Sequence, residues 1–139
     1  MMDETIDPND FISPLDRSLG LRISHADAGR VDAVMEITDH HLQAHGIVHG
    51  GVYCTVTETI ASLGASLKAG LDRQVVGISN RTSFIRAVRD GRLTITGELV
   101  DAVDDLQLWK VDIVDSRARL IAMGQVQLMR LRDRAPEPR

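Results

Sequence analysis

Apolar and small residues run almost without interruption from Gly50 to Ala69, where Glu58 and Lys68 are the only charged side chains. Apolar side chains recur there every three or four residues, which is the period of an amphipathic helix. The stripe that they form comprises Val52, Val56, Thr59, Ile60, Leu63 and Leu67. The pattern therefore predicts one long helix that begins at a glycine pair and ends before Gly70, because glycine commonly terminates helices.

Short runs of alternating apolar and polar residues predict six strands, two before the helix and four after it. These runs cover residues 21–26, 30–37, 74–87, 92–100, 107–115 and 120–131. Short turns separate the last four runs, so we expect them to form an antiparallel meander. The order β-β-α-β-β-β-β predicts a single α+β domain over residues 1–139, with the helix covering one face of the sheet.

The two ends of the chain carry weaker patterns. Residues 1–16 read as a polar N-terminal extension, in which Phe11 and Leu15 have helical spacing but Pro14 limits any helix to a short one. Residues 132–139 carry two prolines among charged residues and are predicted to be a disordered tail.

Composition and charge exclude several classes of function. The chain has 43 % hydrophobic and 26 % charged residues with a net charge of -4, which gives no reason to expect nucleic-acid binding. Cys54 is the only cysteine, so the chain forms no internal disulfide. The acidic N-terminus lacks the apolar core of a signal peptide, and no apolar run is long enough to span a membrane. We therefore expect a cytoplasmic protein without a membrane partner.

The helix face opposite the apolar stripe is made of small residues and carries one carboxylate. It comprises Gly51, Cys54, Thr55, Glu58, Ala61, Ser62 and Ala65. A helix without a charged face is expected to be covered on both sides, here by a ligand or a second subunit. A carboxylate in such a setting needs a partner or a function. The pattern leaves open whether Glu58 binds a backbone group or takes part in catalysis.

The glycine pair at the start of the helix is also a candidate for binding or catalysis. The first N–H groups of a helix lack intrahelical acceptors, and with the helix dipole they can stabilise an anion or a developing oxyanion. Gly50 and Gly51 allow this backbone to approach a substrate closely, and His49 stands next to it. The same two glycines are also compatible with nothing more than a tight turn.

His49-Gly50-Gly51, followed by Glu58 seven residues later, resembles the active-site segment of hotdog-fold acyl-CoA thioesterases. The similarity is greatest to the branch with the phenylacetate-pathway and Arthrobacter-type 4-hydroxybenzoyl-CoA thioesterases, and it covers residues 17–131. It implies a sheet wrapped around one central helix, and hydrolysis of an acyl-CoA thioester. It also implies that Glu58 is the nucleophile or general base and that the Gly50 N–H polarises the carbonyl. Gln43 and His49 would line the reacting group, and Ser62 would help to place water.

The resemblance further implies which residues hold the substrate. Gly51 lies at the start of the helix, and the other four lie on the run after it: Asn80, Thr82, Ser83 and Arg86. In the family this run contributes to the pocket and coenzyme A groove of the partner subunit. Four arginines near it are compatible either with phosphate binding or with a solvated face: Arg81, Arg86, Arg89 and Arg92. No cofactor is implied beyond coenzyme A as part of the substrate, and a homodimer at minimum, or a homotetramer, is expected.

Other interpretations compete with this one. Four histidines lie close together in the sequence and suggest a metal site: His40, His41, His45 and His49. Two of them lie in or at the glycine turn, so we expect no metal site here. We expect His40 and His41 to be exposed loop residues. Cys54 lies in the first helical turn, where thiols can be reactive, but a carboxylate four residues later opposes thiolate formation, which favours a packing role. Two other functions remain open, a non-catalytic acyl-CoA binding module and a hotdog enoyl-thioester hydratase or dehydratase.

Overall fold

The computed structural model describes residues 6–133, so the first five residues and most of the predicted C-terminal tail lie outside the described residues. Its two α-helices are α1 (Pro14–Ser18) and α2 (Gly50–Ala69), and short 3-10 helices cover Pro8–Phe11 and Asp39–His41. The strands are β1 (Arg22–Ala26), β2 (Arg30–Glu36), β3 (Val75–Phe84), β4 (Arg92–Val103), β5 (Leu106–Val114) and β6 (Leu120–Arg130). The predicted α+β fold is confirmed, with one antiparallel sheet and one long helix.

The order of strands in the sheet differs from the predicted meander. The order is β1-β2-β4-β5-β6-β3, so only β4, β5 and β6 form a meander of neighbours. β3 pairs with β6 and lies at the far edge, and the chain then returns through residues 85–91 to place β4 beside β2. The expected hairpin between β3 and β4 is therefore wrong. The strand predicted over residues 92–100 is also too short, because β4 continues to Val103.

The helix α2 packs closely on the sheet because glycine stands where the two approach most. A Cβ on Gly64 would lie 2.3 Å from the ring of Trp109, which is fully buried. The indole Nε1 of Trp109 donates to Gln107 (2.8 Å), and the amide of Gln107 donates to the carbonyl of Ala65 (3.1 Å). Ala61 and Ala65, expected on the opposite face, are fully buried. The buried surface of α2 is thus wider than the apolar stripe alone, because small residues let the helix settle onto the sheet.

The N-terminal segment folds back against the rest of the domain. The side chain of Asn9 accepts from the N–H of Ile23 (2.7 Å) and donates to its carbonyl (3.0 Å), which attaches the segment to the edge strand β1. Ile12 lies in the hydrophobic core. These contacts place residues 8–18 beside α2 and make them part of its surroundings.

His41 is buried, so its expected position as an exposed loop residue is wrong. Its Nδ1 accepts from the N–H of Thr38 (2.9 Å), and its Nε2 donates to the carbonyl of Leu19 (2.7 Å). The buried ring thus supplies hydrogen-bond partners to two partly buried backbone groups. His41 thereby joins the end of the N-terminal segment to the loop that precedes α2. Within residues 6–133, no helix has the length and hydrophobicity that crossing a membrane requires.

Candidate active site

The N-terminus of α2 leaves one backbone N–H available. His49 is the N-cap residue, and its Nδ1 accepts from the N–H of Gly51 (2.8 Å). The N–H of Val52 donates to the carbonyl of His49 (3.0 Å). The N–H of Gly50 makes no hydrogen bond to another group of residues 6–133. His49 therefore orients the turn, and the Gly50 N–H is the group that can reach a carbonyl oxygen of a ligand.

The loop before the helix places Gln43 in the same cleft as Gly50. The side-chain oxygen of Gln43 accepts from the N–H of His45, and Arg89 donates to the carbonyl oxygens of His45 and Gly46 (3.2 Å each). Gly46 has φ of 77°, a conformation that glycine adopts without strain. Gln43 and Gly50 line a common cleft of about 270 Å³. The predicted proximity of these two residues is thus present, and Arg89 holds the loop instead of facing a phosphate.

Glu58 lies two turns further along α2, in a second and larger cleft of about 400 Å³. Its Oε2 is buried and has no hydrogen-bond partner within the described chain. The carboxylate lies against Gly77 of β3, where a Cβ would come within 2.5 Å of Oε1. A buried, unpartnered carboxylate oxygen beside a cleft is costly unless a ligand or water binds there. The structural alternative for Glu58 is that it accepts a hydrogen bond from a backbone N–H. Oε2 accepts no such bond from any group in residues 6–133.

Hydroxyl groups surround Glu58 in this cleft. Ser62 and Ser66 follow on the same side of the helix, one and two turns beyond the carboxylate. Thr59 donates to the buried Asp16 of the N-terminal segment (2.6 Å). Ser62 therefore shares the Glu58 cleft as expected, and Asp16 is an additional buried carboxylate that the sequence patterns did not single out.

Within a single chain, the two clefts are too far apart for their residues to act on the same carbonyl group of a ligand. Gly50 and Glu58 are eight residues apart on one helix, which corresponds to about 12 Å along its axis. A hydrogen-bond donor and a nucleophile must both lie about 3 Å from the reacting group. The predicted catalytic residues thus form two groups, Gln43 with Gly50 and Glu58 with Ser62.

The substrate-binding residues expected on β3 divide between its two sides. Asn80 donates to the carbonyl of Cys54 on α2 (3.0 Å) and accepts from Thr82 (2.7 Å), so both face the helix. Ser83 shares a groove with Arg81 on the other side of the sheet. Arg86 lines the cleft of Gly50 and Gln43, and Arg92 pairs with Glu36. Of the four arginines considered for phosphate binding, Arg86 is the one placed in a cleft with predicted catalytic residues.

Tyr53 also lines the Gly50 cleft, although it breaks no pattern in the sequence. Its ring packs near Phe84 with centroids 6.0 Å apart, and its hydroxyl is buried without a partner in residues 6–133. Burial raises the pKa of Tyr53 to about 12, so the phenol stays neutral. Phe84 also covers Gly50, since a Cβ there would lie 2.6 Å from its ring. An apolar wall of this kind strengthens hydrogen bonds made by the Gly50 N–H.

The match to known families covers most of this region. The family model described as Thioesterase superfamily matches residues 45–122, which contain His49, Gly50, Glu58 and Ser62. The chain belongs to the thioesterase superfamily. The resemblance inferred from the His-Gly-Gly segment and Glu58 is thereby confirmed for the family and for the hotdog fold.

Individual proteins are similar to this chain over most of its length. A Mycobacterium tuberculosis protein named "Putative esterase MT1895" is 36% identical over 130 residues, covering 91% of this chain and 93% of that protein. The crystal structure of S. sahachiroi AziG is 42% identical with a TM-score of 0.83, covering 87% and 98% of the two chains. The 1,4-dihydroxy-2-naphthoyl-CoA hydrolase of Listeria monocytogenes is 26% identical over 111 residues, covering 80% and 90%. Together these similarities support thioester hydrolysis as the general activity.

Proposed function

We propose that this protein hydrolyses acyl-CoA thioesters, with Glu58 as the catalytic carboxylate. The observation that carries the proposal is the Glu58 cleft, where one carboxylate oxygen is buried without a partner in the described chain. A thioester bound there would meet a base or nucleophile. A relative that is a CoA-thioester hydrolase supports coenzyme A as the leaving group.

The Gly50 N–H supplies the second half of the chemistry in this proposal. It donates to the thioester oxygen, and this interaction strengthens as negative charge develops there. Glu58 either removes a proton from a water that attacks the carbonyl carbon, or attacks that carbon itself to form an anhydride that water then hydrolyses. In both cases the C–S bond breaks, and coenzyme A leaves as the thiolate, which takes up a proton. Gln43 and Ser62 position the thioester and water.

We propose that the two halves come together in a homodimer. Gly50 and Gln43 of one protomer would face Glu58 and Ser62 of its partner. The edge strand β3 supports this arrangement because it pairs with β6 alone among the described strands and exposes large apolar side chains. Those side chains are Ile78 (48 % exposed) and Phe84 (58 %), and Ile85 (52 %) directly follows the strand. Such an edge is suited to pairing with another chain.

Substitution of Glu58 tests the proposed activity. A panel of acyl-CoA thioesters with a thiol-detecting reagent measures hydrolysis, and we expect Glu58→Gln to lower kcat by about 10²–10⁴-fold without loss of the fold. Cys54→Ala is the matched control on the same helix face and should retain activity. A wild-type protein that binds acyl-CoA without releasing thiol would instead be a binding module. Near wild-type hydrolysis by Glu58→Gln would refute the role of this residue.

Mixing two inactive variants tests the shared site. Glu58→Ala and Gln43→Ala each impair both sites of a homodimer, but a mixed dimer has one site with Gln43 from one chain and Glu58 from the other. We therefore expect partial recovery of activity when the variants are mixed under conditions that allow subunit exchange. Absence of recovery, with exchange shown by mass spectrometry, would contradict a site shared between protomers.

A further inference from the structure

One wall of the Glu58 cleft comes from the N-terminal segment, residues 8–18. Phe11, Ser13 and Asp16 line this wall, opposite the part of α2 that carries Glu58. The segment lies outside residues 45–122, which the superfamily model matches. The wall is therefore a part of the cleft that the shared motif of the superfamily does not specify.

Hydrogen bonds hold the wall against the helix turn of Glu58. Asp16 is 3 % exposed and accepts from the hydroxyl of Ser13 (2.7 Å) and from its N–H (3.1 Å). The other oxygen of Asp16 accepts from the hydroxyl of Thr59 (2.6 Å). Since Thr59 directly follows Glu58, one hydrogen bond ties the N-terminal segment to the turn that carries the carboxylate. With the anchor at Asn9, the wall is fixed at both ends.

Two exposed apolar side chains line the cleft, beside polar residues that include Arg73. Phe11 on the N-terminal segment (47 % exposed) and Leu71 just after α2 (46 % exposed) both line the cleft. Leu15 on the same segment is 57 % exposed but does not line the cleft. Large apolar side chains around a concave site lose exposed surface when an apolar ligand group binds between them.

The direction of the cleft follows the helix. From Glu58, the lining passes Ser62 and reaches Ser66, about 12 Å further along the axis. An acyl group with its carbonyl at Glu58 would therefore extend past Ser62 and lie between Phe11 and Leu71. A two-carbon acyl group would not span this distance, whereas a longer or aromatic one would make contact with the rim.

We propose that Phe11 and Leu71 determine acyl specificity and that Asp16 is a positioning residue that holds Phe11 in place through Thr59. This inference rests on the proposed thioesterase function. The favoured substrate class is acyl thioesters whose acyl group is larger than acetyl and carries apolar surface away from the carbonyl.

The preference between two substrates tests the rim. We would measure kcat/KM for hexanoyl-CoA and for the shortest acyl-CoA that the wild-type protein hydrolyses, and take their ratio. Phe11→Ala and Leu71→Ala are each expected to lower this ratio by about tenfold or more, the scale of losing hydrophobic contact in a pocket. Leu15→Ala is the matched control and should leave it unchanged. An unchanged ratio in both rim variants would overturn the proposal while leaving the thioesterase function intact.

The measurements distinguish a failure of the proposed thioesterase function from a failure of the proposed specificity role. If the wild-type protein releases no thiol from any acyl-CoA, the proposed function is wrong and the specificity role falls with it. If the wild-type protein is active, Thr59→Val tests the anchor because it keeps the shape of threonine and removes the hydrogen bond to Asp16. We expect the ratio to fall in Thr59→Val and to be restored in Thr59→Ser, which keeps the hydroxyl. Equal ratios in these two variants would overturn the positioning role of Asp16.

Discussion

Replacing Gly77 with alanine would put a methyl group into the space that the Glu58 carboxylate occupies. The new Cβ would lie 2.5 Å from Oε1, 3.1 Å from Oε2 and 3.2 Å from Cδ of Glu58. Oε1 of Glu58 must therefore move by about 0.9 Å to reach an ordinary contact distance of 3.4 Å from the new Cβ. Gly77 is paired with Leu128 in the sheet, whereas the carboxylate ends a flexible side chain. Glu58 should therefore move and the strand should not.

A displacement of this size is large for catalysis and small for stability. A misplacement of about 1 Å can lower a rate by about 100-fold, so we expect kcat of Gly77→Ala to fall by about that factor. Gly77 does not have a positive φ, and alanine reduces the conformational freedom of the unfolded chain, so the free energy of unfolding should change by less than about 1 kcal/mol. The predicted result is a folded protein with a misplaced carboxylate.

Thiol release and thermal unfolding, measured on the same samples, separate these two effects. Gly29→Ala is a matched control because its Cβ would make an ordinary contact of 3.7 Å with Asp27. Gly97→Ala is a contrast because its Cβ would lie 2.5 Å from Ile60 in the core, which should destabilise the fold by about 1–3 kcal/mol. A Gly77→Ala protein with wild-type kcat would refute the reasoning, since the position of Glu58 would then not depend on the missing side chain.

Three further substitutions test other parts of the structure. Hydrogen bonds from Arg119 hold the pKa of Asp115 below its ordinary value of 3.8. The stability that Asp115 contributes is therefore present above about pH 4 and is lost as the pH falls through the lowered folded pKa. Urea unfolding should show Asp115→Asn less stable than wild type at neutral pH, with a smaller difference in acid; a constant difference would contradict this. Tyr53→Phe should unfold at the same or higher urea concentration, because it removes a buried hydroxyl without a partner in residues 6–133; a loss above about 1 kcal/mol would indicate an overlooked partner. His41→Ala should destabilise the protein by about 1–3 kcal/mol, since two partly buried backbone groups lose their partners; a melting temperature equal to that of wild type would argue against this.

Strands were predictable from local alternation, but their partners were not. The run that contains β3 reads like its neighbours, yet most of β3 is exposed, because it lies at the edge of the sheet. Strand pairing depends on contacts between residues that are far apart in the sequence, and a short turn between two runs does not determine it. The pairing of β3 with β6 therefore had to come from the structure.

The candidate site was predictable where a residue broke a local pattern. Glu58 stood out because it is the first charge in a long apolar helix, and the glycine pair stood out because it opens that helix. Asp16 and Gly77 did not stand out, since an acidic residue in a short polar segment and a glycine in a strand are both common. Their importance comes from what lies opposite them, Thr59 in one case and the Glu58 carboxylate in the other.

The distance between Gly50 and Glu58 on one helix has a consequence for how this protein would behave on dilution. If each reaction centre needs both groups, an isolated protomer holds two incomplete halves and turns over nothing. Specific activity would then follow the fraction of associated protomers and would decline as the protein concentration drops below the dimer dissociation constant. A plot of activity against enzyme concentration would curve upward at the low end, so the enzyme assay itself would measure subunit affinity.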